Sequence, residues 1–206
     1  MIRKNLVSGI LSGICIGLGG GVFLSLVSES RIAAAVFFSV ALLTICYFGF
    51  NLYTGKIGFM AISHTKDDFT ALIWGLCGNI LGTLITGVLA GIAVPQINEA
   101  AQTAVAAKLA QTLLQTLLRG WFCGLLMFIA VRIFRENKTP VGILFAIPVF
   151  ILSGYEHSVA DMYYCFADGI WSASQALFVA EVVIGNTVGG LTIPILMKLT
   201  SDRSKQ

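Results

Sequence analysis

Three ionisable side chains stand close together in an otherwise apolar stretch of the sequence. Glu156, His157 and Asp161 follow Gly154, and an apolar run at residues 141–152 leads into them. Ionisable groups at the depth of a lipid bilayer are costly, and they usually face a cavity or a transport path. Glycine interrupts helices readily, so Gly154 is a natural helix break beside them. This group of side chains is therefore the first candidate for function.

The chemistry open to this group centres on His157, because histidine titrates near physiological pH without perturbation. A small anion that enters a dry pore loses its hydration at a large cost, which falls if the anion becomes neutral. A protonated His157 would stabilise the anion or hand it a proton, so that the neutral acid crosses. The alternative is a neutral histidine bonded to backbone carbonyls at the helix break. In a soluble core this alternative would be favoured; the place of His157 beside Gly154, taken together with the resemblance given below, favours the pore role.

The two carboxylates next to His157 lead to different expectations. If a helix resumes after Gly154, His157 and Asp161 lie four residues apart on one face. An ionised Asp161 in that position would favour the charged imidazole ring. Glu156 would point elsewhere, and we expect it to bind backbone donors of the broken helix.

The composition indicates which elements must carry these side chains. Of the 206 residues, 57% are hydrophobic and 11% are charged, with a mean hydropathy of +0.89. Soluble domains average about 25% charged residues, so the chain is predicted to be an all-α protein that crosses a bilayer several times. A net charge of +3 without a basic tract gives no support for nucleic-acid binding. Five scattered cysteines and two histidines do not provide clustered metal ligands, and no catalytic residue or cofactor is predicted.

Six segments are apolar and long enough to span a bilayer core of about 30 Å, which needs about 20 residues per helix. The first is longer than the roughly 7–15-residue core of a signal peptide, so we interpret it as a spanning helix and not as a cleaved leader. The second and fifth are predicted to break, around Asn51 and at Gly154. Residues 95–107 are predicted to form a polar loop. The six segments are about 6–27, 32–62, 69–94, 109–131, 141–166 and 178–197.

The lysines and arginines near the ends of these segments predict the orientation of the chain. Arg31 and Lys108 would lie on the side opposite the N-terminus. Both termini are predicted to be cytoplasmic, because the N-terminal side would hold nine basic residues. These are Arg3, Lys4, Lys66, Arg132, Arg135, Lys138, Lys198, Arg203 and Lys205.

The two halves of the chain share a motif. The sequence GNILG at 78–82 recurs as GNTVG at 185–189, 107 residues later, and 103 residues separate Thr54 from His157. Three spans in each half would place the halves in opposite orientations, which predicts an inverted-topology repeat. The alternative is that GNxxG marks two unrelated helix-packing seams. The predicted repeats are about 1–94 and 109–200, within a single domain of residues 1–206.

Thr54 and Lys56 are polar residues near the predicted break in the second span. Thr54 is expected to face the pore opposite His157, since its hydroxyl can donate and accept. The alternative for Thr54 is a bond to a carbonyl in the preceding turn. Lys56 either extends to the membrane interface or adds a positive field to the pore mouth.

Several motifs together identify a family. They are GYEHSVADM at 154–162, NLYTG at 51–55, GN at 78–79 and IGNTVGG at 184–190. In these motifs and their order the chain resembles the formate/nitrite transporter family over nearly its whole length. The resemblance implies an aquaporin-like protomer with its own pore, a homopentamer, and a place in a prokaryotic cytoplasmic (inner) membrane. It also implies passage of small monovalent anions such as formate, nitrite or hydrosulfide, together with protons.

The resemblance also implies roles for individual residues. Phe38, Leu42 and Phe150 match the apolar constriction of the family, where dewetting can gate ions. Lys4 and Lys108 match lysines at the pore mouths, where they would concentrate anions. Glu156 would stabilise the structure.

The chain departs from the family at two positions. Asp161 stands where the family has asparagine, and Gly124 appears where the family usually has asparagine near the pore-lining middle of the fourth span. Arg119, five residues before Gly124, would replace that polar contact, bind an anion, or pair with Glu99 or Glu181 across a subunit interface.

Other functions fit the residues less well. An aquaporin-like channel for neutral solutes is disfavoured because the breaks carry no Asn-Pro-Ala pair. A membrane enzyme that uses Ser158 and His157 is disfavoured because adjacent helical residues point about 100° apart. A scaffold would not need two broken spans that carry charges.

Overall fold

The structure, a computed structural model, describes residues 1–202, and these fold into α-helices joined by short connections. Arg203 and Lys205, which entered the charge count above, lie outside the described residues. The helices are α1 (Ile2–Leu26), α2 (Arg31–Phe48), α3 (Tyr53–Lys56), α4 (Lys66–Ala93), α5 (Pro95–Leu109), α6 (Leu113–Asn137), α7 (Val141–Leu152), α8 (Ser158–Ala167) and α9 (Ala173–Asp202). A 3₁₀ helix at Ile57–Ala61 continues α3.

Five of these helices are long and apolar enough to cross a membrane. They are α1, α2, α4, α6 and α9, and each contains a strongly apolar window of 18 residues. Helix α7 is apolar but has 12 residues, and α8 has 10, so neither alone spans a core of about 30 Å. The all-helical, membrane-length architecture expected from the composition is therefore present.

Two glycines with a left-handed backbone end helices in matching places. Gly49 follows α2 with φ of 71°, and Gly154 lies just beyond α7 with φ of 72°. Glycine adopts this conformation without the steric penalty of a side chain, and it commonly ends helices in this way. After each glycine the chain runs extended for a few residues, and helices then restart at Tyr53 and Ser158.

Glycines also bring pairs of long helices into close contact. Helix α1 packs mainly against α4, and α6 packs mainly against α9. A Cβ added at Gly9 would lie 2.4 Å from the carbonyl oxygen of Gly75, and one at Gly189 would lie 2.0 Å from that of Trp121. The helix backbones therefore approach too closely for any side chain at these positions, as in small-residue seams of membrane helices.

The prediction of a polar loop at 95–107 is wrong, because this segment forms helix α5. Pro95 occupies its first turn, where proline has no N–H to lose. The alanines that follow have the highest helix propensity. Helix α5 packs against α8, and its last turn carries Lys108 towards the charged group that follows Gly154.

Candidate functional site

Two buried asparagines hold the restarting ends of α3 and α8. Asn79 Oδ1 accepts the backbone N–H of Tyr53 at 2.9 Å, and Asn186 Oδ1 accepts that of Ser158 at the same distance. A helix leaves its first N–H groups without internal partners, and in a membrane no water replaces them. Each asparagine therefore caps one short helix from a neighbouring long helix.

The amide nitrogens of the same asparagines complete a matching pattern. Asn79 Nδ2 donates to the carbonyls of Gly9 and Asn51, both at 2.9 Å. Asn186 Nδ2 donates to the carbonyls of Gly120 and Glu156, both at 2.8 Å. Each amide joins one broken segment to the long helix packed beside it. The GNxxG motifs therefore combine a packing seam with a hydrogen-bonding device, repeated in the two halves.

Thr54 and His157 meet at the start of the two short helices. Thr54 Oγ1 lies 2.7 Å from His157 Nε2, and both residues are buried. His157 caps α8, because its Nδ1 accepts the backbone N–H of Ala160 at 3.1 Å. The alternative of a histidine bonded to backbone carbonyls does not hold at this nitrogen, since it accepts from a backbone donor. The hydroxyl of Thr54 bonds the ring rather than the preceding turn.

Aromatic rings form a buried stack beside this pair. The ring of Phe150 lies parallel to the His157 ring at 5.8 Å between centroids, and Phe38 meets Phe150 edge-on at 6.3 Å. Leu42 follows Phe38 by one turn of α2, and both are almost fully buried. Two of the three residues assigned to an apolar constriction, Phe38 and Phe150, are therefore connected to His157 by ring contacts, and Leu42 lies one turn further along α2.

A cavity of about 580 Å³, the His157 cavity, lies on one side of this stack. It lies at the end of α2 that carries Arg31, and Phe38 and Phe150 form part of its wall. Its charged and titratable lining consists of Arg31, Lys108, Arg119, Tyr155, Glu156, His157, Asp161 and Tyr164. Positively and negatively charged side chains therefore line the same cavity.

A smaller cavity of about 130 Å³, the Lys56 cavity, lies at the other end of α2. Leu42 and Leu52 contribute to its apolar wall, and Lys56, Arg135 and Lys138 line it as cations. Among its described lining residues there is no acid. Lys56 donates to Asn51 Oδ1, which holds its ammonium beside the break.

Lys108 binds both carboxylates of the charged group. Its Nζ contacts Glu156 Oε2 and lies 2.8 Å from Asp161 Oδ1. Gln111 Nε2 donates to Glu156 Oε1 at 2.6 Å. Two carboxylates on one ammonium leave a net negative charge when both are ionised. The positive charge of Lys108, which the resemblance places at a pore mouth, is therefore offset by two neighbouring carboxylates.

Two expectations about these acids are wrong, for one geometric reason. Glu156 binds Lys108 and Gln111 rather than backbone donors, and Asp161 turns to Lys108 rather than towards the His157 ring. The helix restarts at Ser158, so Glu156 lies outside it and His157 is its N-cap residue with extended backbone. Angles between helical positions do not apply to residues outside the helix. Glu156 and Asp161 consequently converge on one lysine.

Arg119 lies at the edge of the same group. Its Nη1 is 3.9 Å from Glu156 Oε1, and its backbone carbonyl accepts the N–H of Glu156 at 3.3 Å. The guanidinium remains partly open to the His157 cavity. Arg119 therefore pairs with Glu156 of its own chain, a partner that the sequence did not suggest.

Two other positions lie away from the cavities. Lys4 is exposed on the first turns of α1 and lines neither the His157 nor the Lys56 cavity. Gly124 lies in the seam of α6 with α9, where a Cβ would come within 2.4 Å of the carbonyl oxygen of Asn186. Assigning Gly124 to a pore lining is wrong, because its position faces a helix backbone.

Sequence reasoning missed the groups that complete both cavities. Gln111, Arg135 and Lys138 received no role in the site, although Gln111 binds Glu156 and the other two line the Lys56 cavity. Their signal in the sequence is weak, because each lies near a helix end, where basic and polar residues are ordinary. The asparagines of GNxxG carried a visible signal, their repetition at equal spacing.

Comparison with known proteins places these features in context. A family model described as formate/nitrite transporter matches residues 1–200. The nitrite transporter NirC of Escherichia coli (strain K12) is 24% identical over 209 residues, covering 89% of this chain and 78% of NirC. The uncharacterized transporter YwcJ of Bacillus subtilis (strain 168) is 26% identical over 144 residues, covering 63% of this chain and 56% of YwcJ.

Two solved structures share the fold. An FNT family ion channel superposes with a TM-score of 0.87 at 21% identity, covering 97% of this chain and 90% of the other. A pentameric formate channel with formate bound superposes with a TM-score of 0.78 at 20% identity, covering 97% of both chains. The all-helical arrangement described above is therefore similar to that of known channels.

Proposed function

Because its residues 1–200 match the family model, the chain belongs to the formate/nitrite transporter family, and from that premise we propose that it is a membrane channel. Its substrates are small monovalent anions or their weak acids, such as formate, nitrite or hydrosulfide. The observation that carries this proposal is the pair of cavities at opposite ends of α2, separated by the turn from Phe38 to Leu42.

The proposed path runs from one cavity to the other past His157. Four residues advance a helix by about 6 Å, so the apolar barrier at Phe38 and Leu42 is short. Phe150 closes the same level from α7. An apolar ring of this kind excludes hydrated ions by dewetting. The polar pair of Thr54 and His157 next to it offers hydrogen bonds to a solute that has lost its water.

We also propose the predicted layout in the membrane. Helices α2 and α7, each with its short partner after the break, act as the second and fifth of six crossings. The matching bonds of Asn79 and Asn186 support an inverted repeat of 1–94 and 109–200 within one domain. With both termini cytoplasmic, the His157 cavity faces outwards and the Lys56 cavity faces the cytoplasm.

The two mouths of this path have different electrostatics. Lys56, Arg135 and Lys138 give the inner mouth a positive field, which raises the local concentration of anions. At the outer mouth the charges of Glu156 and Asp161 offset part of the positive charge of Arg31, Lys108 and Arg119. An anion is therefore attracted more strongly from the cytoplasmic side.

For the assembly we propose a homopentamer in a prokaryotic inner membrane. Support comes from the family and from the solved channel described as pentameric. Large apolar side chains are exposed on several long helices, for example Phe37, Leu89 and Leu177. These surfaces suit contact with lipid or with neighbouring copies.

Reconstitution into liposomes tests the proposal. Fluxes of formate, nitrite, hydrosulfide and glycerol are measured side by side, for the wild-type protein and His157→Ala. We expect flux of at least one weak-acid anion, and a large change in it when the ring is removed. Rapid glycerol flux without weak-acid flux would overturn the proposal in favour of an aquaporin-like channel for neutral solutes.

A further inference from the structure

Asp161 carries one carboxylate oxygen for which the protein supplies no donor. Oδ1 faces Lys108 Nζ at 2.8 Å, whereas Oδ2 is buried and has no hydrogen-bond partner within the described residues. The side chain is 1% exposed and lies in the wall of the His157 cavity. An unsatisfied buried polar group costs about 1–3 kcal/mol, and more if it is charged. While the neighbouring carboxyl of Glu156 is ionised, Oδ2 therefore has no donor in the protein, and a solute in the cavity can supply one.

The carboxylates around Asp161 disfavour the binding of an anionic solute there. Glu156 shares Lys108 with Asp161, so one ammonium already serves two carboxylates. Arg119 interacts with Glu156 at 3.9 Å and remains partly exposed. The titratable and charged groups around Asp161 are Lys108 on α5, Cys123 and Arg119 on α6, Glu156 and His157 at the break, and Tyr164 and Cys165 on α8. Arg31 on α2 and Tyr155 at the break line the same cavity.

Resting on the proposed channel function, we propose that Asp161 Oδ2 accepts a hydrogen bond from the O–H of a neutral weak acid in the His157 cavity. The acid supplies the missing donor and adds no charge. Its anion offers no donor and brings a like charge towards the carboxylate. The proton of this bond can also lie on Asp161, which then donates to the anion. The two forms contain the same atoms and carry the same total charge, so Asp161 and the solute share one proton.

This role depends on a carboxylate at position 161. In Asp161→Asn the amide oxygen can keep the contact with Lys108. The amide nitrogen then replaces Oδ2 and presents a donor instead of an acceptor. A donor without negative charge suits the anion better than the acid. The substitution therefore inverts the hydrogen-bonding preference of one atom while the size of the side chain is kept.

Nitrite and nitrate form a suitable pair of probes, because both are small planar oxyanions but only nitrite belongs to a weak acid. Their fluxes into proteoliposomes are compared from about pH 5 to about pH 8, the range in which protonation equilibria of this kind are accessible, with protein-free liposomes as background. In the wild type we expect the nitrite-to-nitrate flux ratio to fall steeply as pH rises. In Asp161→Asn we expect this dependence to shrink by at least about threefold, since the atom no longer selects the acid. An unchanged pH dependence in this variant would overturn the inference.

Two further measurements separate this role from a structural one. Glu99→Gln removes one exposed carboxylate from α5 outside the cavity, so it should keep the wild-type pH dependence. Thermal stabilisation of the wild-type protein by nitrite should increase as pH falls, and that by nitrate should not. This measurement remains decisive if Asp161→Asn does not assemble, and equal stabilisation by both anions at all pH values would overturn the inference. Absence of any anion flux in the wild type would instead overturn the proposed channel function.

Discussion

His157 Nε2 lies 2.7 Å from Thr54 Oγ1, and the bond at the other ring nitrogen determines the direction of this contact. Nδ1 accepts the N–H of Ala160, and a nitrogen that accepts cannot carry a proton. In a neutral ring the proton is then on Nε2, so His157 donates to Thr54. Protonation of the ring would break the cap of α8. The geometry therefore favours a neutral His157 that is positioned as a donor.

Removal of the Thr54 hydroxyl should disturb this arrangement. In Thr54→Val the Nε2–H group loses its acceptor in a buried site, at a cost of about 1–3 kcal/mol. We expect weak-acid flux to fall about tenfold and the protein to lose several degrees of thermal stability. Thr54→Ser keeps the hydroxyl and should retain most of the flux. Wild-type flux in the valine variant would show that the contact has no role in conduction.

The matching bonds of Asn79 and Asn186 lead to paired effects. Each alanine substitution removes two donated bonds and one accepted bond at buried sites, for a loss of about 3 kcal/mol or more. We expect both variants to lose stability by similar amounts in detergent unfolding. Asn98→Ala should lose much less, because Asn98 is half-buried and makes only two side-chain bonds, to the carbonyl of Ala167 at 2.8 Å and from Gln102 Nε2 at 3.1 Å. A large effect at one asparagine and none at the other would contradict the equivalence of the two halves.

The sequence carries enough information for the main elements of this fold. Hydropathy marks the long helices, and Gly49 and Gly154 mark the ends of α2 and α7 because no other residue adopts a positive φ so readily. Helix starts are less predictable from hydropathy. Helix α4 begins at Lys66 because Thr65 and Asp68 form a capping box, which lies before the apolar stretch.

The candidate site is less accessible to sequence reasoning. Asp161 and Lys108 are distant in the chain, and their contact depends on α5 being a helix. The directions of Glu156 and Asp161 depend on where α8 restarts, and a shift of one residue rotates a helical side chain by about 100°. Residue types therefore identified the group around His157, whereas the ion pairs within it follow only from the three-dimensional structure.

The seam between α6 and α9 predicts the effect of placing at position 124 the asparagine that the resemblance implies. In Gly124→Asn the side chain would collide with the backbone of α9, where a Cβ already lies 2.4 Å from the carbonyl oxygen of Asn186. We expect loss of assembled protein in size-exclusion chromatography. The matched pair is Gly124→Ala and Gly55→Ala, because a Cβ at Gly55 has its nearest contact at 3.5 Å. Only the former should be destabilised, and tolerance of Gly124→Asn would contradict this placement.

The cations of the Lys56 cavity should act through their field. In Lys56→Met we expect anion flux to fall severalfold at low salt, with a smaller difference near 1 M salt, where the Debye length is about 3 Å. Lys56→Arg keeps the charge and should retain the flux. Lys66→Met removes an exposed lysine outside the cavity and serves as the control. A reduction that does not depend on salt would indicate a structural role through Asn51.

Leu42 is the residue whose truncation should change selectivity most directly. It is 1% exposed and lies one turn from Phe38, between the two cavities. In Leu42→Ala the apolar barrier loses several methyl groups, so we expect glycerol and larger carboxylates to enter at measurable rates. Burial also predicts a stability loss of about 2–5 kcal/mol, which must be separated from the effect on the path.

Leu72→Ala is the matched control, since Leu72 is buried on α4 and lines neither cavity. It should lose stability without gaining glycerol flux. If both variants leak equally, general loosening explains the change, and Leu42 is not part of the constriction.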